Sequence, residues 1–245
     1  MNEFVDAFKR KLLSVVVFVF FTAFFSYLMM SSPEVFVASD NFVPPHARIV
    51  AFGDSLTAGY ALPAEDAFPA QLQNILKAKG YDVEVINQGI SGDTTSGALQ
   101  RLPRILEFRP DIVILEFGAN DVLKRQSIDA ARDNLVFVIN KLKEWGAIVL
   151  LAGLLPPEYI SVGFSDDNFY PSIAKETDIA LYPNFMTGIY DQSTIPTDLV
   201  LPDKVHPTPE GAKLMAENIA PFVERTLQAF YQQVRNQQKQ QQQQK

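Results

Sequence analysis

In Arg48-Ile-Val-Ala-Phe-Gly-Asp-Ser-Leu-Thr57 a short apolar run stops at Gly53 and gives way to a polar turn that carries a serine. A run of this length, rich in β-branched residues, fits a strand buried on both faces, and glycine permits the tight turn at its end. The same pattern returns at Val83-Glu-Val-Ile86, Ile112-Val-Ile-Leu115 and Ile148-Val-Leu-Leu-Ala152, with a weaker fifth run at Ile179-Ala-Leu-Tyr182. Between the runs, apolar residues recur at helical spacing: Phe68, Leu72, Ile75, Leu76; Ala98, Leu102, Ile105, Leu106; Leu135, Val138, Ile139, Leu142. A last amphipathic stretch runs from Pro209 through Leu214, Ile219 and Val223 towards Phe230. Strands alternating with helices at this spacing predict an α/β fold with an open, central parallel sheet. Ligands of such sheets bind beyond the carboxyl ends of the strands, so chemistry is expected just after each run.

The residues found there are not neutral filler. The first strand is followed by Gly53-Asp54-Ser55-Leu56-Thr57, the second by Ser91-Gly92-Asp93-Thr94, and the third by Gly118-Ala119-Asn120-Asp121. Asp203-Lys204-Val205-His206-Pro207 precedes the last helix. Taken singly, each has an ordinary explanation as a turn or a helix cap. Together they place a serine, an imidazole, a carboxylate, free backbone N–H groups and a side-chain amide on one edge of the sheet. That is the equipment for acyl transfer through a serine nucleophile. Ser55 is the expected nucleophile and His206 its base. Asp203, three residues before His206, orients the imidazole. Asp54, Asp93 and Asp121 are expected to hold loops rather than to react.

These four blocks resemble those of the SGNH (GDSL) hydrolase family, and more closely its exported bacterial branch of arylesterase, acyl-CoA thioesterase and lysophospholipase enzymes. Phe52-Gly-Asp-Ser-Leu-Thr-Ala-Gly-Tyr60, Ile90-Ser-Gly-Asp-Thr94, Arg101-Leu-Pro103 and Leu155-Pro156 carry that closer likeness, and it extends over roughly Arg48 to Arg225. Ala119 departs from it, standing where that branch usually has a second glycine. The resemblance implies a three-layer α/β/α sandwich of flavodoxin-like type. It also implies an oxyanion hole formed by the Ser55 N–H, the Gly92 N–H and the Asn120 side chain, with Gly89 a weaker substitute for Gly92. The implied substrates are small acyl esters or thioesters, lysophospholipids included, with no cofactor and no metal. Val122, Leu123, Leu155 and Pro156 follow the third and fourth strands and either line an acyl channel or pack the loops onto the core. Removal of acetyl groups from carbohydrate is the alternative ester chemistry, and a catalytically silent binding module is the alternative of another class. An α/β-hydrolase elbow (Gly-x-Ser-x-Gly) and a dinucleotide-binding Gly-x-Gly-x-x-Gly after the first strand are both missing.

Composition narrows the remaining possibilities. The 245 residues include 21 Lys and Arg against 28 Asp and Glu, a net charge of −7 that argues against nucleic acid as a partner. There is no cysteine, which removes disulfides and thiolate chemistry, and only His46 and His206 supply imidazole. Hydrophobic residues make up 47%, enough for a sizeable core.

At the N-terminus Lys9, Arg10 and Lys11 precede Leu12 to Met30, 19 residues without a charge. This order predicts export to the periplasm or the exterior. The length reaches that of a membrane span and favours an uncleaved anchor over residues 12–30, while Val37-Ala38-Ser39 offers a cleavage site for a signal peptide. The expected organisation is a signal or anchor over 1–40, a linker over 41–47, the catalytic domain over 48–231 and a disordered Gln-rich tail over 232–245. Trp145, the only tryptophan, ends a helix and is expected to anchor it in the core.

Overall fold

Five parallel strands form the centre of the computed structural model, which describes residues 42–154, 168–190 and 198–243. They are β1 (Ala47–Gly53), β2 (Val83–Gly89), β3 (Ile112–Glu116), β4 (Ile148–Ala152) and β5 (Ala180–Tyr182). The sheet order is β2-β1-β3-β4-β5, with all four pairings parallel. β3 is buried at every position and β1 at all but Arg48, as their unbroken apolar runs require of strands covered on both faces. β2 lies at an edge, and its polar Glu84, Asn87 and Gln88 are tolerated there for that reason. All five runs read from the sequence are strands, with β2 three residues longer than its apolar core and β5 one residue shorter.

The helices are α1 (Ser55–Ala58), α2 (Phe68–Ala78), α3 (Thr95–Glu107), α4 (Ala119–Leu123), α5 (Ile128–Trp145), α6 (Phe169–Thr177) and α7 (Pro209–Gln243). α2 packs on α7, and α3 packs on α5, which also meets α6, so the sheet lies between two helical layers. Local chemistry sets the ends: Thr94 and Ser127 cap α3 and α5 through their hydroxyls, and Gly146 ends α5 in the left-handed conformation at φ 101°.

Everything described from Pro44 onward belongs to one unit. The apolar segment over 12–30, with the rest of 1–41, lies outside the described residues. Two expectations need correcting. α7 does not give way to a disordered tail at 232: its buried stripe ends at Tyr231, yet the helix continues to Gln243. Glutamine is a good helix former, and extending an existing helix avoids the cost of nucleation. Trp145 is not a core anchor, for it is 56% exposed. It stands on the outer groove between α3 and α5 with Leu99, Leu106 and Phe137.

Strand order 2-1-3-4-5 reverses direction between β1 and β3. A crevice opens at such a reversal outside the carboxyl ends of the two strands. Ser55 follows β1 directly and Asn120 follows β3, so the two lie on either side of it.

Candidate active site

The turn from β1 into α1 is built around Gly53. A methyl group at this position would come within 2.1 Å of Thr57 Oγ1 and 2.7 Å of Glu116 Oε2, so only glycine fits. Asp54 caps α1, its Oδ1 accepting from the Leu56 N–H at 3.1 Å, and Ser55 becomes the first residue of the helix. Its backbone N–H is one of those a helix start leaves free, and it takes no partner among the described residues.

The loop before α7 brings the imidazole to this serine. Asp203 Oδ1 accepts from the N–H groups of Val205 at 2.9 Å and His206 at 3.0 Å, which curls the loop. Its Oδ2 lies 2.7 Å from His206 Nδ1, and His206 Nε2 lies 2.9 Å from Ser55 Oγ. An ionised carboxylate only accepts, so Nδ1 carries the hydrogen and Nε2 is left to accept from the Ser55 hydroxyl. Partial burial raises the Asp203 carboxyl, but the His206 N–H, the His206 ring and the Val205 N–H outweigh it and hold Asp203 below its ordinary value. The Tyr60 ring covers the imidazole at a centroid distance of 4.3 Å, and the Tyr190 hydroxyl donates to the Val205 carbonyl at 2.7 Å.

Two further donors face the same cavity. Gly92 sits at φ +78° with open space where a side chain would stand, and its N–H takes no partner among the described residues. Its loop is tied down from below. Asp93 accepts from Arg101 Nε at 2.8 Å and Nη2 at 2.6 Å, while Arg101 also donates to the Gln88 carbonyl and lies 4.7 Å from the Phe52 ring centre. Gly89 does not compete for the role, because its N–H is taken by Asn87 Oδ1 at 2.9 Å. Asn120 Nδ2 donates one hydrogen to Asp54 Oδ2 at 2.9 Å, which orients the amide and leaves a second N–H. Asp121 accepts from the Thr95 N–H and hydroxyl at 3.0 and 2.6 Å and fastens α4 to α3. Asp93 and Asp121 thus hold loops, as expected of them, and Asp54 does more by orienting Asn120.

Beneath the serine lies a group that motif reading overlooks. Glu116, the last residue of β3, is fully buried, and its Oε2 accepts from Thr57 Oγ1 at 2.9 Å and from the Asp54 N–H at 3.3 Å. Burial, then the neighbouring Asp54 charge, pushes the Glu116 carboxyl well above its ordinary range. Burial likewise pushes Asp54 up to about 6, against the pull of the Leu56 N–H, Glu116, His206 and Asn120. The signal was present, since Glu116 is the one charge in the apolar run Ile112 to Phe117.

The cavity over these groups holds about 290 Å³. Leu56, Val122, Leu123, Leu154, Met186 and Val205 give it an apolar wall, with Ser55, Gly92, Asn120 and His206 on the polar side. Val122 and Leu123 therefore face the site, whereas Leu155 and Pro156 lie outside the described residues. His46 is not part of it and pairs instead with Asp82 at 2.9 Å, before β1 begins.

A serine, an imidazole and a carboxylate in hydrogen-bonded series at the switch point of a parallel sheet define a serine hydrolase site. Residues 51–214 match the GDSL-like lipase/acylhydrolase family, and the chain belongs to it. It is 36% identical to an arylesterase of Vibrio mimicus over 177 residues, 71% of this chain and 86% of that protein. It is 34% identical to thioesterase 1/protease 1/lysophospholipase L1 of Escherichia coli K12 over 184 residues, 71% of this chain and 84% of that one. Among solved structures, the psychrotrophic esterase EstA of a Pseudoalteromonas species, inhibited by monoethylphosphonate, superposes with a TM-score of 0.66 at 30% identity. That alignment covers 74% of this chain and 98% of EstA. The protein is accordingly an SGNH esterase, a serine hydrolase acting on ester bonds.

Proposed function

We propose that the protein hydrolyses esters and thioesters of apolar acyl groups through an acyl-enzyme on Ser55. The observation that carries this reading is the continuous hydrogen-bonded series Ser55 Oγ–His206 Nε2–Asp203 at 2.9 and 2.7 Å. Ser55 Oγ attacks the carbonyl carbon while its proton passes to His206 Nε2, and Asp203 stabilises the imidazolium. The negative oxygen that develops is held by the N–H groups of Ser55 and Gly92 and by the second N–H of Asn120. On collapse the C–O or C–S bond breaks, the leaving group takes the proton from Nε2, and the acyl group remains on Ser55. Water then gives a proton to His206, attacks the same carbon and releases the carboxylic acid, and the proton returns to Ser55.

The wall of Leu56, Val122, Leu123, Leu154, Met186 and Val205 selects an apolar acyl group. Its volume sits at the small end of the about 300–1,000 Å³ usual for ligand pockets, which favours short and medium chains inside it. Carbohydrate acetyl groups fit less well. The two aromatic members are already engaged, Tyr60 on the imidazole and Tyr190 on the Val205 carbonyl. A panel of p-nitrophenyl esters, acyl-CoAs, lysophospholipids and acetylated sugars tests the assignment. Turnover is expected to rise from acetyl to longer acyl groups, and a preference for acetylated sugars would overturn it.

The N-terminal order of Lys9-Arg10-Lys11 followed by 19 uncharged residues supports export, with the catalytic unit outside the cytoplasmic membrane and held there by residues 12–30.

A further inference from the structure

Glu116 takes no part in the chemistry above, although it lies directly beneath it. Its Oε2 is supplied with two donors, the Thr57 hydroxyl and the Asp54 N–H. Its Oε1 is buried and receives none. The Asp54 carboxyl belongs to the residue whose N–H reaches Oε2, and its equal supply is divided: Oδ1 receives the Leu56 N–H and Oδ2 the Asn120 amide, so neither oxygen is left without a donor. Two carboxylates cannot both hold a negative charge in so dry a place. The proton settles on the carboxyl whose donors leave one oxygen unserved, which is Glu116, and Oε1 is the place for it. The other ionisable groups that act on the pair do not alter this order. His206 favours a charged Asp54, and the Tyr170 hydroxyl is already donating to the Phe117 carbonyl. Asp121 is held by Thr95, and the Arg101 guanidinium by Asp93.

We propose that Glu116 is a positioning residue, protonated at neutral pH, which donates a hydrogen bond to the Asp54 carboxylate and so fixes the acceptor on which the Asn120 amide is aligned. The proposal rests on the reading of Asn120 as an oxyanion donor. With Glu116 charged instead, repulsion would turn the Asp54 carboxylate away, and the Asn120 N–H would lose its aim at the cavity. A donor displaced by about 1 Å loses much of its effect on the transition state, on the order of 10²-fold in rate.

Glutamine imitates the protonated acid, since its oxygen accepts from Thr57 and Asp54 while its NH₂ donates to the Asp54 carboxylate. Glu116→Gln in the full chain is therefore expected to keep kcat on p-nitrophenyl butyrate within about threefold of wild type, whereas Glu116→Leu loses about 10- to 100-fold in kcat with KM little changed. In an Asn120→Ala background Glu116→Leu should cost no more than about threefold further, because its effect passes through Asn120. Infrared spectra at neutral pH should contain the carbonyl band of one neutral carboxylic acid that Glu116→Gln removes.

A Glu116→Gln enzyme as impaired as Glu116→Leu, or a band that survives the Gln substitution, overturns the proposal. If Glu116→Leu does not fold, a folded Glu116→Gln enzyme whose kcat falls more than about tenfold below wild type, or a band that survives the Gln substitution, still overturns it. An Asn120→Ala enzyme with full kcat defeats the oxyanion reading and with it the proposed line of action. The infrared band then separately reports whether Glu116 holds the proton.

Discussion

Asn120 donates one of its two amide hydrogens to Asp54 Oδ2 at 2.9 Å, across the gap between the ends of β3 and β1. The residue before the serine therefore sets the direction of the amide that faces it. Asp54 also caps α1 and so places the free Ser55 N–H. One buried carboxylate thus organises two of the three donors assigned to the oxyanion.

Replacing Asn120 tests that arrangement. Asn120→Ala is expected to lower kcat by about 10²–10³ with KM nearly unchanged, since an oxyanion donor acts on the transition state. Steady-state kinetics on p-nitrophenyl butyrate provide the check. A raised KM with an unchanged kcat would make Asn120 a residue for ground-state binding.

Asp54 and Asp203 predict opposite pH effects on stability in separate windows. Asp54 is raised to about 6, so its contribution is fully present below its ordinary value of 3.8 and is lost as pH rises through about 6. Asp203 is lowered, so its contribution is present above the ordinary carboxylate value and is lost as pH falls through its depressed one. Urea unfolding midpoints between pH 4 and pH 8, a range of about four units around those values, should fall with rising pH in the wild type. Asp54→Asn should make that slope shallower, leaving the part that the raised Glu116 carboxyl contributes. An equally steep slope in the variant would place the titrating group elsewhere.

Much of this was open to reading from the chain, and the failures have physical causes. The strands were legible because covered parallel strands must be apolar on both sides, as Ile112-Val-Ile-Leu115 is. The positions of Ser55 and Asn120 followed from the rule that strand ends carry the chemistry, and His206 from its place beside Asp203 just before the last helix. Glu116 was missed because a single charge closing an apolar run reads as the strand's exit to solvent, and only the fold reveals that Thr57 and Asp54 lie over it. Trp145 ends its helix as expected, but α5 turns it towards the outer groove and not into the core, which its position in the sequence does not reveal. The helix over 232–243 was hidden by low complexity, which signals composition and not conformation.

The two histidines should behave differently. His206 must be neutral to accept the Ser55 proton, so kcat/KM is expected to fall towards acid pH. His46, paired with Asp82 at the other end of the sheet, should have no part in that loss. The pH profile of His46→Ala should overlay the wild type, while His206→Ala loses activity throughout. An inactive His46→Ala enzyme would reverse the assignment of the base.

Fractionation of cells expressing the full chain tests the anchor over 12–30. Activity is expected in the membrane pellet, resistant to salt and released by detergent. A freely soluble exported protein beginning near Ser39 or Asp40 would show instead that the segment is a cleaved signal.

The proposed mechanism carries the acyl group on Ser55 Oγ, 2.9 Å from His206 Nε2. Rapid quenching during turnover of a p-nitrophenyl ester, followed by mass spectrometry of the digested protein, measures this directly. The acyl mass is expected on the peptide containing Ser55. Ser55→Ala is expected to fold, to carry no acyl mass and to turn over several orders of magnitude more slowly, on the order of 10⁴–10⁶-fold. An acyl group on another residue, or near-wild-type turnover by a folded Ser55→Ala protein, would contradict it.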